Sequence, residues 1–309
     1  MEVTLDKVDY GGWPNCYRLA NGVVELIVTT DVGPRIIRFG FVAQENEFRE
    51  YPEMLGTTGG GEWRIYGGHR LWLAPEDRER TYQPDNSPIR LERGDGVLHL
   101  VQPIEAATGV QKEIDIRLSS DDARVVLTHR LRNVGQATVL LAPWALSVMA
   151  PGGVAIVPLP ERRAHEETLL PTNTMTFWAY TDMTDSRWTW GRQYILLRQD
   201  PDAPSPQKAG FMVPDGWAAY ARNDHLFVKT FQFRREMPYP DLGCSVEVFT
   251  NAEMLELETL GPLTNLPPAA AAEHVEEWRL FQGVPALNTE AAVEQSALPL
   301  IQRALRASA

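Results

Sequence analysis

KEIDIRLSS, residues 112–120, alternates without a break: Ile114, Ile116 and Leu118 fall on one side of an extended chain, and Glu113, Asp115 and Arg117 on the other. A strand with one face on a core and one face in water has this period of two. The pattern spreads in both directions. GVVELIVTT (22–30), RIIRFGFVA (35–43), GVLHLVQPI (96–104), RVVLTHRLRNVG (124–135), TVLLAPWALSVMA (138–150), HLFVKTFQF (225–233), CSVEVFT (244–250) and MLELETL (254–260) are short and rich in Val, Ile, Leu and Phe. ANG (20–22), RGDG (93–96), SSDD (119–122), RNVG (132–135) and RND (222–224) supply turn chemistry between them. Many short strands separated by such turns define an all-β chain, an antiparallel sandwich or barrel.

Helical signal is scarce and strongest in the tail, NTEAAVEQSALPLIQRALRASA, with a short helix expected over about 289–308. Thr289 is suited to the N-cap and Glu290 to the first turn, and Val293, Leu300, Ile301 and Leu305 form a partial apolar stripe that Pro299 should kink or divide. No fixed-period repeat stands out. The Pro- and Ala-rich stretches QDPDAPSPQKAG (199–210) and TNLPPAAAAEH (264–274) are short enough to be loops. A single domain spanning 1–309 is therefore expected, since large sandwiches reach this length as one unit.

The chain carries a formal net charge of −12, with 44% hydrophobic and 23% charged residues. A negative field of that size repels phosphate, which disfavours nucleic acid and anionic membranes as partners and leaves neutral small molecules such as sugars. Cys16 and Cys244 read as two free thiols of a reducing compartment. The opening MEVTLDKVDYGGWPN has neither a basic n-region nor an apolar h-region, so a cytoplasmic location is expected. There is no phosphate loop, HExxH, CxxC or GxSxG, and the six histidines are scattered singly. No metal or cofactor is expected from that spacing.

Aromatics, single histidines and carboxylates on strands remain as the chemistry-bearing groups. In LELETL, Glu256 and Glu258 share one strand face. They are either two solvated glutamates or the floor of a polar cleft, where mutual repulsion at roughly 7 Å raises one pKa toward general-base use. In DSRWTWGRQ (185–193), Trp188 and Trp190 share a face and either stack on a sugar ring or cap a core. In GGHRLWLAPE (67–76), paired glycines precede His69, Arg70 and Trp72. Arg70 falls on the face opposite His69 unless the glycines bend the strand. Arg35 offers a hydroxyl or carboxylate contact, or a salt bridge.

Taken in order, these stretches resemble the galactose mutarotase-like (aldose 1-epimerase-like) superfamily. DVGPRIIRFGF (31–41) is similar to its opening strands, GGHRLWLAPE to its glycine–tryptophan–proline strand-turn, LRNVGQATVLLAPWALSVMAPGG (131–153) to its central strand pair, and KAGFMVPDGWAAYARNDHLFVKTF (208–231) with LELETLGPL (255–263) to its later strands. The resemblance, over roughly residues 20–285, implies an antiparallel β-supersandwich with a sugar-binding cleft. It also implies ring opening by a glutamate base and a histidine acid. Glu258, in the ETL that matches the family's base motif, is then the base, with Glu256 in reserve. His69 is then the acid or a sugar-hydroxyl ligand, the alternative being a histidine that bonds a neighbouring loop, and Arg70, Arg35, Trp72, Glu256, Trp188 and Trp190 are the expected sugar contacts. The strand after RNVG departs from the family, carrying Trp144-Ala145-Leu146-Ser147 where relatives have a histidine. An isomerase, a non-catalytic sugar-binding or sensor protein, and another carbohydrate-active enzyme such as a lyase or hydrolase are the functions this pattern leaves.

Overall fold

The computed structural model describes residues 2–308, with side chains through residue 306. Two antiparallel sheets face each other. The first runs, neighbour to neighbour, through Thr4–Tyr10, Trp13–Ala20, Val24–Thr29, Arg35–Phe41, Gly68–Ala74, Val139–Met149, Leu255–Leu260, Val246–Thr250, Gln207–Phe211 and Met175–Phe177, with Thr264–Leu266 paired beside the start of Val139–Met149. The second runs through Trp188–Trp190, Tyr194–Arg198, Val154–Pro158, Trp217–Arg222, His225–Phe231, Ala271–Gln282, Arg124–Asn133, Val110–Leu118, Val97–Val101 and Arg90–Gly94. This is the expected all-β sandwich. Two stretches read as loops enter it: the Pro-rich segment becomes strand at Gln207, and the Ala-rich one holds Thr264–Leu266 and the start of Ala271–Gln282.

The inward faces are those the alternation demands. Ile114, Ile116, Leu118, Leu127, Leu131, Leu255, Leu257, Leu71 and Leu73 lie in one shared core with Phe39, Phe48, Phe227 and Trp278. Burial of that apolar surface, at roughly 25 cal/mol per Å², is the main force joining the sheets. Glu113 is buried although its face was expected to be solvated, because Arg130 and Arg132 both bond its carboxylate.

The outer face of the second sheet is closed by the tail. Val284, Leu287, Val293, Ala297 and Ile301 pack on Ile156, Leu196, Ala219, Leu226 and Val228. Thr289 caps the helix by accepting the Ala292 N–H at 3.2 Å, and Glu290 is fixed by the N–H groups of Gln193 and Tyr194 at 2.6 and 3.0 Å. The expected division at Pro299 takes the form of a π-helical turn, Val293–Ala297, leading into the α-helix Leu298–Ser308. A wider turn absorbs the N–H that proline cannot supply. Among the described residues no helix is long and apolar enough to cross a membrane.

The paired glycines set the geometry of the site-bearing strand. Gly67 and Gly68 have φ of +97° and +72°, and a Cβ would stand 2.0 Å from the Arg49 carbonyl oxygen at the first and 2.3 Å from the Ile36 carbonyl oxygen at the second. Gly68→Ala is therefore expected to cost about 2 kcal/mol; chemical denaturation measures it, and an unchanged midpoint would contradict the close approach.

Candidate functional site

The register of the first sheet aligns a row of charged side chains on its outer face. Arg35 pairs with Arg70, Arg70 with Leu146, Leu146 with Glu258, and Glu258 with Glu247. Glu256 and Lys208 lie in the neighbouring row, on either side of Phe249. Trp72 and Trp144 are paired one step toward the other end. Strand alternation thus gathers three carboxylates and three cations on one surface, with two tryptophans beside them.

Glu258 is fully buried. Its Oε2 accepts from the Trp144 indole N–H at 2.7 Å and lies 3.4 Å from the Lys208 ammonium, which also sits 2.8 Å from Glu247. Burial is the largest influence on the Glu258 carboxyl, pushing it up to about 7 against the opposing pull of Lys208, and the Glu256 carboxylate pushes the same way. Burial pushes Glu247 up as well. Two carboxyls sharing one ammonium away from water retain a proton between them near neutrality. Lys208 is held by the faces of Trp144 and Trp178, at 4.7 and 4.6 Å from the ring centroids.

Arg70 donates to Glu256 at 2.8 Å and lies 4.4 Å above the Trp72 ring, with Trp63 and Tyr82 completing the aromatic group. Arg35 is committed to structure: it donates to the carbonyls of Ile65 and Gly67 and to Asp85. Buried polar atoms without a partner concentrate here, namely Nε and Nη1 of Arg70, Nε1 of Trp63, Oε1 of Glu258 and Oε1 of Glu247, whose Oε2 is taken by Lys208. Unpaired buried polar atoms are rare because each costs about 1–3 kcal/mol. Tyr82 and Trp178, which cover these groups, also line an outer depression of about 660 Å³ with Glu76, Asp77, Arg78 and Asp241.

His69 is not part of this arrangement. The strand keeps its alternation through Gly68–Ala74, so His69 faces inward while Arg70 faces outward. The His69 ring contacts Ser147, His129 and Trp278 between the sheets. The acid assigned to His69 on the Glu258 face is therefore corrected: a pleated sheet separates the two groups. The other histidines lie elsewhere: His129 and His274 between the sheets, His225 against Glu47, His99 against Asp115, and His165 exposed in a loop.

Trp188 and Trp190 are also removed from the sugar-contact set. They share a face and stack at 4.7 Å, but on the edge strand of the second sheet, where Trp188 is buried in the common core and donates to Gln207. Trp190 donates to the Met183 carbonyl and meets Phe177 edge-on. Closing an open end of the core accounts for both.

Glu247, Lys208, Trp63, Trp178 and Tyr82 do not stand out in the sequence pattern, and Trp144 stands out there only as the departure from the family's histidine. Glu247 had a signal in CSVEVFT, where it alternates with Val246 and Val248 as Glu258 does with Leu257. Lys208 was hidden by the prolines before it.

The fold is that of the galactose mutarotase-like proteins. The chain superposes on a candidate aldose 1-epimerase from Klebsiella pneumoniae with a TM-score of 0.59 at 10% identity, covering 97% of this chain and 87% of that one. A galactose mutarotase-like protein from Lactobacillus casei gives 0.55 at 9% identity, with 86% and 100% covered. Another from Clostridium acetobutylicum gives 0.51 at 10% identity, with 91% and 99% covered. No protein-family model and no curated protein sequence matches the chain.

Proposed function

We propose that the outer face of the first sheet binds a neutral carbohydrate. The observation that carries this reading is the set of unpaired buried polar atoms on Arg70, Trp63, Glu258 and Glu247 beside aromatic rings. Such a surface offers donors and acceptors to hydroxyls and flat apolar faces to a pyranose ring. Glu258, with its carboxyl near 7, is suited to accept a proton from an anomeric hydroxyl. A histidine acid opposite it is missing from this face among the described residues, so binding of the aldose 1-epimerase-like type without histidine-assisted ring opening is the function supported best.

Two measurements test it. Titration with a panel of neutral monosaccharides is expected to give a saturable change in tryptophan fluorescence, since Trp63, Trp72, Trp144 and Trp178 are in or beside the site. Anomer exchange followed by NMR on the best ligand is expected to run at the uncatalysed rate. Rapid exchange lost in Glu258→Gln would instead establish turnover, and no response to any sugar would reject the carbohydrate reading.

A further inference from the structure

On the opposite side of the same sheet, three strands deliver a second constellation. His69 from Gly68–Ala74, His129 from Arg124–Asn133 and Glu276 from Ala271–Gln282 meet midway between the sheets, all fully buried. We propose that these three side chains form a binding site for a first-row transition-metal dication of the Zn2+ class.

The geometry converges on a point. The two Nε2 atoms are 2.7 Å apart, and each is 4.0 Å from Oε2 of Glu276. A triangle with those sides has its equidistant point about 2.1 Å from every corner, the length of a bond from zinc to imidazole nitrogen or carboxylate oxygen. Two imidazoles and one carboxylate suit a borderline dication better than Ca2+ or Mg2+, which take oxygen ligands.

The far side of each ligand is already held, as metal-binding side chains require. Nδ1 of His129 donates to the His274 carbonyl at 3.1 Å, which leaves its Nε2 with the lone pair. Nδ1 of His69 lies 2.9 Å from the Ser147 hydroxyl. On Glu276, Oε1 takes the bonds from Lys229 and Thr259, and Oε2 takes a bond from the Trp278 indole N–H at 2.8 Å. Oε2 keeps a second lone pair toward the histidines.

Without metal the same atoms close on each other. The Ser147 hydroxyl donates to His69 Nδ1, and His69 Nε2–H donates to His129 Nε2. Loading moves the His69 proton from Nε2 to Nδ1, where it donates to the Ser147 oxygen. The tautomer changes and no net proton leaves the ring. Both sheets contribute ligands, so the ion would tie them across the core.

The full-length protein, produced with Zn2+ or Co2+ in the medium and passed through gel filtration, is the material for the test. Metal analysis is expected to find about one equivalent per chain, and the Co2+ form is expected to show visible d–d bands. Ser147→Ala removes an orienting contact without touching a ligand and is expected to weaken metal affinity about tenfold or more, with recovery in Ser147→Thr. His129→Gln, if it folds, is expected to lose the metal. The site is overturned if wild-type protein refolded with excess Zn2+ or Co2+ holds less than about 0.1 equivalent and melts at the same temperature with or without chelator. Metal retained equally in His129→Gln overturns it too.

Discussion

Removing the charge of Lys229 is expected to cost about 3–5 kcal/mol, measured on chelator-treated Lys229→Met by denaturant unfolding. The ammonium is completely buried and lies 2.9 Å from Glu276, with the carbonyls of Leu257 and Ala145 at 3.1 and 3.4 Å. Methionine fills nearly the same space, so lost packing contributes little. The cost arises because Glu276 keeps Thr259 and Trp278 as donors but loses its counter-charge while fully buried between the sheets. Lys229→Met/Glu276→Gln, which removes both charges, should recover much of the loss. A double variant as unstable as the single one would mean that the pair's packing, and not its charge, is what matters.

The second large effect has the opposite sign. At pH 8, Glu258→Gln is expected to be more stable than the parent by about 3 kcal/mol. A carboxyl of ordinary value 4.5 is raised to about 7 in the folded chain, so between those values the folded state holds a proton that the unfolded state has released. Its contribution is thus greatest at pH 4.5 and below and falls away as the pH climbs through 7. Glutamine keeps the shape, has no such dependence and leaves Lys208 paired with Glu247 at 2.8 Å. Urea unfolding at pH 5 and pH 8 measures the difference. A variant destabilised equally at both would contradict a strained carboxylate at this position. Stability gained by deleting a buried charge marks a group retained for something other than folding.

Much of this arrangement was legible in the residues. KEIDIRLSS announces its inward face, and ELETL places Glu256 and Glu258 together. Alternation also separates His69 from Arg70, but it cannot say which of the two meets the core. That choice depends on the register against Ser147 and Leu146, set by strands far along the chain. The histidines between the sheets left a fainter trace. His129 is in phase with Leu127 and Leu131, and His274 and Glu276 with Trp278 and Leu280, so polar groups occupy positions of the apolar stripe. Their meeting is a property of two sheets stacked together, which no single strand encodes. The covered state of the outer face was equally unreadable, because Trp63, Tyr82 and Trp178 arrive from loops whose paths local pattern does not fix.

The bonds of Lys229 carry one more implication. Its side chain hangs from one layer of the sandwich, and two of its acceptors are backbone oxygens of the other, at Ala145 and Leu257. Greasy layers can slide past one another at small cost, since one leucine contact resembles the next. A peg seated in two named carbonyls cannot follow such a slide without abandoning its charge to hydrocarbon. The halves of this molecule are dovetailed, at backbone positions next in sequence to Leu146 and Glu258 of the outward-facing row.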